Sequence, residues 1–431
     1  MTGSPLNTDM KLLIWCPYVS LGGGIRLLQQ LAPAIARHPE VESVRLAIPG
    51  GKVRNLNEVF RGLEIFGLSE AGSSGVLRPW LEDGRRVLSI RGTDRLKASA
   101  RYRLLGPADG RREEARQLEQ LGRAAEGCDV VYCFWPQRLA CPRLDLPLAC
   151  TYQDTTLIDF PEILGGDEAK RLRDLSAGWV ERSTVVVSSK ATRDNLARLF
   201  GPRAESARVI HHAILPEKGE AAAALDAAPA EKLPRDYIVL PAHISPSKNH
   251  HALLEAWARF GRRKQSALVF LGAGTDGLNR RPHEPEAAHD WHLLRLLGLI
   301  ARRGLRAGED FHALGYVADE NVLPLVAGAK ALVMPTLAEG GGSYPVEEAL
   351  AVGTPVLCSD IRVMREHLGG RSAKIGWFDP YSVDSILAAL EDLFDDYGAY
   401  KESAARGASD PRPTWDDVAA EYVDVFKGMM R

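Results

Sequence analysis

The chain has 431 residues, of which 45% are hydrophobic and 26% are charged. This length and composition are typical of a globular protein with two or three domains, and they exclude general disorder and a disulfide-stapled miniprotein. The chain has 54 Lys and Arg against 56 Asp and Glu, a net charge of −2, so no global attraction to nucleic acid or membrane is expected.

Cysteine spacing and hydropathy indicate the cellular compartment of the protein. The six cysteines form no CxxC pair and lack the spacing of zinc ligands, and most lie in apolar runs. They are expected to be buried and reduced. The sequence shows no basic segment followed by an apolar run, and no stretch approaches the roughly 20 apolar residues of a spanning helix. The expectation is a cytoplasmic protein.

Short apolar runs alternate with amphipathic segments in the first half of the chain. Residues 11–16 form an apolar run that ends at Pro17, and residues 26–37 have helical periodicity that Pro33 interrupts. Strands separated by helices predict a parallel sheet covered on both faces. Further strands are predicted at residues 44–48, 129–134, 147–152, 184–188 and 208–211.

A change in composition separates the two halves. Residues 216–236 are rich in Ala, Pro and charge and contain no strand pattern, which predicts a linker. The alternation then restarts, so the predicted organisation is an N-terminal domain at 1–215, a C-terminal domain at 237–400 and a helix at 401–431. Two doubly wound domains facing a cleft are expected to bind ligands at the carboxyl ends of their strands. The strands of the second domain are predicted at 237–240, 267–271, 311–314, 331–334 and 355–358, and helices at 252–260, within 279–304, at 346–352 and at 416–430.

The strongest local signal lies at residues 331–360. An apolar strand runs into Glu339 and Gly340–Gly342, and Pro345 can then begin a helix. The glycines let a ligand approach the backbone, and the first amides of the helix favour an anion. Glu347 or Glu348 can accept sugar hydroxyls near the helix start. The alternative to a ligand site is a tight turn followed by acidic residues that stabilise the start of the helix.

Three weaker signals follow other predicted strands. Lys248, in a polar turn with His243, can neutralise a phosphate, although a solvated loop is the alternative. Gly22–Gly24 can cradle an anion or form a simple turn. Asp154 and Asp159 lie at a strand end, where they can contact substrate or cap a helix.

Two further features are weaker evidence about function. The basic stretch at 91–116 is either a solvated face or a contact for anionic lipid or an acidic acceptor, which leaves open a peripheral contact with the inner face of a membrane. The adjacent His250 and His251 point in different directions and lack metal-ligand spacing, so no metal is expected.

Together these segments resemble glycosyltransferase family 4, the glycosyl transferases group 1, which are retaining enzymes of the GT-B fold. The resemblance spans about residues 237–380 and implies two Rossmann-like domains facing a cleft, with the C-terminal helix returning to the N-terminal domain. The N-terminal half matches more loosely, through LGGGIRLLQQLA, VVYCFWPQ and VVVSSKATRDNLARLF. The segments that carry the resemblance are PAHISPSKNHHALLEAW, LGYVADENVLPLVAGAKALVMPTLAEGGGSYPVEEALAVGTPVLCSD and SDIRVMREHLGG.

The resemblance implies roles for individual residues. Glu339 matches the glutamate that contacts the donor sugar, and Lys248 matches the lysine on the diphosphate. For the ribose-binding glutamate, a count of seven intervening residues gives Glu347, whereas framing by Pro345 and the following Ala-Leu gives Glu348, which we favour. The residues expected to bind the donor are Gly22, Gly23, Gly24, His243, Lys248, Gly341, Gly342, Ser343, Tyr344, Glu347 and Glu348.

The catalytic residues implied are Glu339, Lys248 and Asp154. Two positions depart from the family pattern, since His243 stands where an arginine is usual and Gln153 stands where a histidine often precedes Asp154. The first departure loses a bidentate charge, and the second alters the pair that positions the sugar.

The implied activity is retaining transfer of a sugar from a GDP- or UDP-sugar to a glycan, lipid-linked or small-molecule acceptor in polysaccharide biosynthesis. Front-face attack with the leaving phosphate as base needs no cofactor or metal. The alternatives are a sugar-nucleotide epimerase and a non-catalytic nucleotide-sugar-binding protein. No nucleic-acid partner is expected, because basic and aromatic residues do not interleave.

Overall fold

The chain divides into two compact units in a computed structural model. One unit comprises Met1–Ala213 and Pro413–Arg431, and the other comprises Ile214–Arg412. The predicted basic stretch at 91–116 and most of the predicted linker at 216–236 lie outside the described residues. The structure describes residues 10–17, 23–49, 60, 63–68, 78–82, 85–89, 119–136, 139–161, 166–214, 223–224, 233, 236–282 and 290–430.

The first unit is built on a sheet whose described strands are β1 (Met10–Trp15), β2 (Val41–Pro49), β3 (Glu64–Leu68), β4 (Arg78–Glu82), β5 (Arg85–Ser89), β6 (Val130–Cys133), β7 (Leu148–Tyr152), β8 (Thr184–Val187) and β9 (Arg208–Val209). Their order is β4-β5-β3-β2-β1-β6-β7-β8-β9. Strands β4 and β5 pair antiparallel, and the other neighbours pair in parallel. The inner strands are buried along nearly their whole length, which is why they are continuous apolar runs in the sequence.

Helices cover this sheet, namely α1 (Gly23–Arg37), α2 (Thr156–Asp159), α3 (Gly166–Arg182), α4 (Lys190–Phe200) and α5 (Pro202–Glu205). The prediction that Pro33 interrupts the first helix was wrong, because α1 runs through it. Proline removes a single backbone N–H, and the buried Leu27, Leu28, Leu31 and Ile35 keep the helix packed on the sheet.

The second unit has six described strands, β10 (Tyr237–Pro241), β11 (Ala267–Leu271), β12 (Phe311–Ala313), β13 (Ala331–Met334), β14 (Val356–Ser359) and β15 (Ile375–Phe378). They pair in parallel in the order β12-β11-β10-β13-β14-β15. The order reverses between β10 and β13, so this pair forms the switch point at which open α/β sheets bind ligands. Strand β15 was not predicted, since Gly376 breaks up its short apolar run.

The helices of this unit are α6 (His250–Arg259), α7 (Trp291–Arg303), α8 (Asp319–Ala327), α9 (Tyr344–Ala351), α10 (Arg362–Leu368), α11 (Val383–Asp395) and α12 (Tyr397–Gly407). Local chemistry sets the ends of α7. The Asp290 carboxylate accepts the amides of His292 and Leu293 at 2.9 and 3.0 Å. Gly304 ends the helix with a φ of 64°.

The predicted C-terminal element at 401–431 is divided between the units. Helix α12 belongs to the second unit, and α13 (Trp415–Met429) returns to the first, as the resemblance implied. Pro411 and Pro413 separate the two helices because proline cannot continue a helix in its interior. Thr414 then starts α13 through a capping box with Asp417.

A buried hydroxyl chain attaches α13 to the first sheet. The Thr151 hydroxyl on β7 lies 2.7 Å from the Tyr132 hydroxyl on β6 and 3.0 Å from the Tyr422 hydroxyl on α13. All three side chains are fully buried. The contact with α13 joins residues that are 271 positions apart in the sequence.

The fold class is therefore the predicted one, with two Rossmann-like units, each built on a largely parallel sheet. All six cysteines are free thiols, and burial raises the pKa of Cys150 to about 12. In the described part of the chain, no helix has the length and apolar character needed to cross a membrane.

We expect Tyr422→Phe to destabilise the first unit by about 1 kcal/mol, because it removes one hydrogen bond but keeps the ring. Tyr422→Ala should cost about 3–5 kcal/mol through the cavity that it leaves. Denaturant unfolding measures both, with Asp424→Ala on the exposed face of α13 as control. Equal costs for the Phe and Ala variants would contradict the packing role of the ring.

Candidate functional site

The carboxyl edge of β10 and β13 brings two predicted site residues together. Lys248 ends a short 3-10 turn after β10, and Glu339 lies in the loop after β13. Lys248 Nζ lies 2.5 Å from Glu339 Oε1, and the two side chains are 19% and 13% exposed. Because the strands are neighbours in the sheet, residues 91 positions apart form one ion pair.

Backbone hydrogen bonds hold these two loops against each other. The Ser247 carbonyl accepts the Leu337 amide at 2.7 Å and the Thr336 hydroxyl at 3.2 Å. Asn249 has a φ of 55°, the left-handed conformation that asparagine tolerates, and its side-chain amide donates to the Pro380 carbonyl at 2.8 Å. The turn that carries Lys248 is therefore preorganised.

The predicted glycine loop leads directly into α9. Ser343 is the N-cap residue of α9, and Pro345 lies in its first turn. Gly342 has a φ of 104°, and a Cβ there would lie 2.5 Å from the His367 ring. Glycine is therefore needed at 342 for both conformation and space. The amides of the first turn of α9, together with the helix dipole, can bind an anion.

The two candidate ribose-binding glutamates have different surroundings. Glu347 is wholly buried, with its oxygens 3.0 Å from His367 Nε2, 3.0 Å from Arg371 Nη2 and 3.4 Å from Arg412 Nε. Burial, the largest single effect, raises the pKa of Glu347, but the hydrogen bond and charge of His367 and the charges of Arg371 and Arg412 together lower it below its usual value. Glu347 is thus part of a buried ion network, and its place among the donor-binding residues stays a prediction.

Glu348 follows on α9 and points about 100° away from Glu347 around the helix axis. Its side chain is also buried, with a residue exposure of 4%. The two carboxylates therefore leave α9 in different directions. The assignment of the ribose to Glu348 stays a prediction.

His243 lies exposed at the end of β10. Desolvation by the surrounding loops and the charge of Lys248 lower its pKa, and Glu339 raises it, with a net shift below the ordinary histidine value. The neighbouring Gly272 was not predicted as a site residue. Its φ is 129°, and a Cβ there would lie 2.7 Å from the backbone of Ala242 and His243. In the sequence, the two glycines at 272 and 274, just after β11, are the feature that could have indicated it.

Two buried histidines lie behind this edge, His250 on α6 and His292 on α7. Burial lowers the pKa of His250 to about 3, so its imidazole is neutral. Burial likewise lowers the pKa of His292. Within the described residues, no group of three or more His, Cys, Asp or Glu side chains could hold a metal ion.

The predicted site residues of the first unit have local roles. Gly23 and Gly24 form the first turn of α1, whereas Gly22 lies outside the described residues. Asp154 follows β7, and its Oδ1 accepts the Thr156 amide at 2.8 Å, which is turn chemistry. Gln153 is buried and donates to the Phe134 carbonyl at 3.3 Å. The catalytic role of Asp154 stays a prediction.

The fold and this edge define a class of protein: an enzyme of two Rossmann-like units whose second unit has a helix that starts after a glycine loop and beside a lysine–glutamate pair. Comparison with known proteins places the chain within that class. Residues 224–409 match the family model described as Glycosyl transferases group 1. The chain is a glycosyltransferase whose residues 224–409, under half of its length, are similar to this family, as the sequence resemblance implied.

Two curated relatives are mannosyltransferases of Escherichia coli. O-antigen chain mannosyltransferase B is 26% identical over 290 residues, which cover 64% of this chain and 69% of the relative. Serotype-specific mannosyltransferase WbdA is 27% identical over 200 residues, which cover 46% of this chain and 22% of the relative. The match therefore spans under a quarter of WbdA.

Solved structures have the same fold. Anabaena Alr3699/HepE in complex with UDP and glucose superposes with a TM-score of 0.64 at 16% identity, covering 97% of this chain and all of that one. WaaG, a glycosyltransferase involved in lipopolysaccharide biosynthesis, superposes with a TM-score of 0.59 at 12% identity, covering 96% and 100%. At these identities the likeness concerns the fold alone.

We expect Gly272→Ala to destabilise the second unit by about 2–4 kcal/mol, since the methyl group meets rigid backbone at a positive φ. Thermal unfolding measures the change. Gly261→Ala is the matched control, because it has no neighbour within 4 Å and no positive φ. Equal stability of the two variants would contradict the close approach of the loops.

Proposed function

We propose that the protein is a retaining glycosyltransferase whose nucleotide diphosphate sugar donor binds at the carboxyl edge of β10 and β13. The observation that carries the proposal is the Lys248–Glu339 pair beside the start of α9. It places a cation, an acid and the start of a helix at one edge of one sheet. These are the groups that a sugar linked to a diphosphate needs.

Lys248 and the first turn of α9 act on the diphosphate. Both supply positive potential where negative charge develops as the glycosidic bond to the phosphate breaks. The hydrogen-bonded turn at Asn249 keeps the ammonium group in place, so little reorganisation accompanies the reaction. In this proposal the leaving phosphate takes the acceptor proton, and no metal or cofactor takes part.

Glu339 contacts the donor sugar, and the Glu348 carboxylate accepts hydrogen bonds from the ribose hydroxyls. Glu339 neutralises Lys248 at 2.5 Å. Donor binding places the diphosphate on Lys248 and leaves the Glu339 carboxylate for the sugar. In this proposal Lys248 and Glu339 neutralise each other until the donor supplies a diphosphate for the one and a sugar for the other.

The curated relatives support mannose as the transferred sugar and a polysaccharide as the acceptor, because both are mannosyltransferases and one acts on the O-antigen chain. We propose a GDP- or UDP-sugar as donor, with GDP-mannose the first to test. Asp154 is proposed to help position the reacting sugar. Peripheral contact with a membrane and with a lipid-linked acceptor belongs to the same proposal.

We expect Lys248→Ala and Glu348→Ala each to weaken donor binding by about tenfold or more, the value of one charge-assisted contact. Calorimetry with GDP-mannose, UDP-glucose and ADP-glucose measures binding, and product analysis with glycan acceptors measures transfer. Lys401→Ala, at an exposed lysine of α12, is the control. An altered sugar nucleotide formed without acceptor identifies an epimerase, and binding without product identifies a non-catalytic protein.

The donor affinity should depend on pH through His243. Its pKa is lowered in the free protein, and a neighbouring diphosphate raises it, so binding takes up a proton. The gain in affinity is complete below the free-state pKa and is lost as pH rises through the bound-state pKa. Between about pH 5 and pH 8, affinity for an intact nucleotide sugar should fall in the wild type and stay level in His243→Gln. Parallel profiles for both proteins would exclude this role for His243.

A further inference from the structure

A buried ion network lies against the start of α9, and we name its members Glu347, His367, Arg371 and Arg412 the Glu347 cluster. Glu347 is fully buried, and the side chains of Arg412, His367 and Arg371 are 5%, 9% and 13% exposed. Arg371 Nη2 donates to both Glu347 oxygens at 3.0 Å. Two segments of the second unit, the end of α10 with the turn after it and the segment at Arg412, thus converge on the carboxylate of α9.

The cluster has more cations than its single carboxylate requires. Arg371 and Arg412 are both guanidinium ions, although desolvation lowers the pKa of Arg412. Among the described residues, no hydrogen-bond acceptor meets Arg371 Nε or Arg412 Nη2. Asp410, the other acid that interacts with both arginines, lies outside the buried group, where it accepts the Ser372 amide at 2.8 Å.

Buried donors without acceptors reduce stability, and a buried ion pair is often replaceable by apolar residues without loss. Stability alone therefore does not explain two arginines around one buried carboxylate. Their position gives a second explanation, because Glu347 lies in the first turn of α9.

A bare carboxylate in that turn would compete with an anionic ligand for the positive end of the helix. Arg371 and Arg412 cancel this charge from the interior side. The cluster also contacts the glycine loop, because a Cβ on Gly342 would lie 2.5 Å from the imidazole of His367. The cluster thus affects both the potential and the shape of the anion-binding edge.

We infer that Arg371 and Arg412 are positioning residues for the donor diphosphate: they mask the charge of Glu347 and, through His367, hold the glycine loop in place at the start of α9, where the anion is proposed to bind. The inference rests on the proposed function for the identity of the anion. It adds two residues that no sequence motif marked.

The test compares charge changes of opposite sign. Arg371→Gln unmasks Glu347 and should weaken GDP and UDP binding by about tenfold. Glu347→Gln leaves the arginines unopposed and should tighten binding about threefold, even though its melting temperature falls. The double variant, Glu347→Gln with Arg371→Gln, restores the balance and should bind like the wild type, and Arg371→Lys should recover most of the affinity.

A purely structural role gives a different pattern, in which every variant loses affinity in step with its loss of stability. That pattern, or an unchanged affinity in Arg371→Gln, overturns the inference. If Arg371→Gln does not fold, the test depends on Glu347→Gln and on the double variant. Anion affinities below that of the wild type in both of these variants reject the inference. Lys264→Gln is the control, because it removes a cation from the buried Asp310 before β12, at the amino edge of the sheet, and should change stability alone.

Inorganic pyrophosphate separates this inference from the proposed function. If the wild type binds no nucleotide or nucleotide sugar, the proposed function fails. Pyrophosphate then reports on the anion site by itself, and the same order of affinities among the variants supports the cluster's role. Loss of that order with pyrophosphate, while nucleotides bind the wild type, rejects the inference and leaves the proposed function intact.

Discussion

The Lys248–Glu339 ion pair is the contact on which the candidate site depends. It forms because β10 and β13 are neighbours in the sheet although long segments separate them in the chain. The turn at Asn249 and the hydrogen bonds to the Ser247 carbonyl hold its two loops in register. A sheet in another strand order would leave both side chains on the same edge but too far apart to interact.

The same edge shows how the unit accommodates charge near a buried helix start. An exposed acid in the first turn of a helix normally stabilises it, but Glu347 is buried and lies where an anionic ligand is proposed to bind. Two arginines and a histidine surround it, so its charge is contained inside the unit. Glu348, one residue further on, lies about 100° away around the helix axis. The helix thus turns adjacent acidic residues to different sides.

Much of this architecture could be predicted from the sequence. The apolar runs marked most strands, and the glycine-rich segment marked the start of α9. The sequence missed β15, whose glycine breaks the apolar run, and Gly272, whose importance comes from the backbone of another loop. It also treated residues 401–431 as one C-terminal element, although α12 packs with the second unit and α13 with the first.

The sequence alone determined those features that depend on interactions between residues close together in the chain. Strand periodicity and the glycine loop before α9 depend on neighbouring residues, so the sequence alone predicts them. The choice between Glu347 and Glu348 needed the tertiary structure, because the partners of Glu347 lie on α10 and beyond, 24 residues away in the case of Arg371. Only the packing of those segments shows that the Glu347 carboxylate is neutralised in the interior.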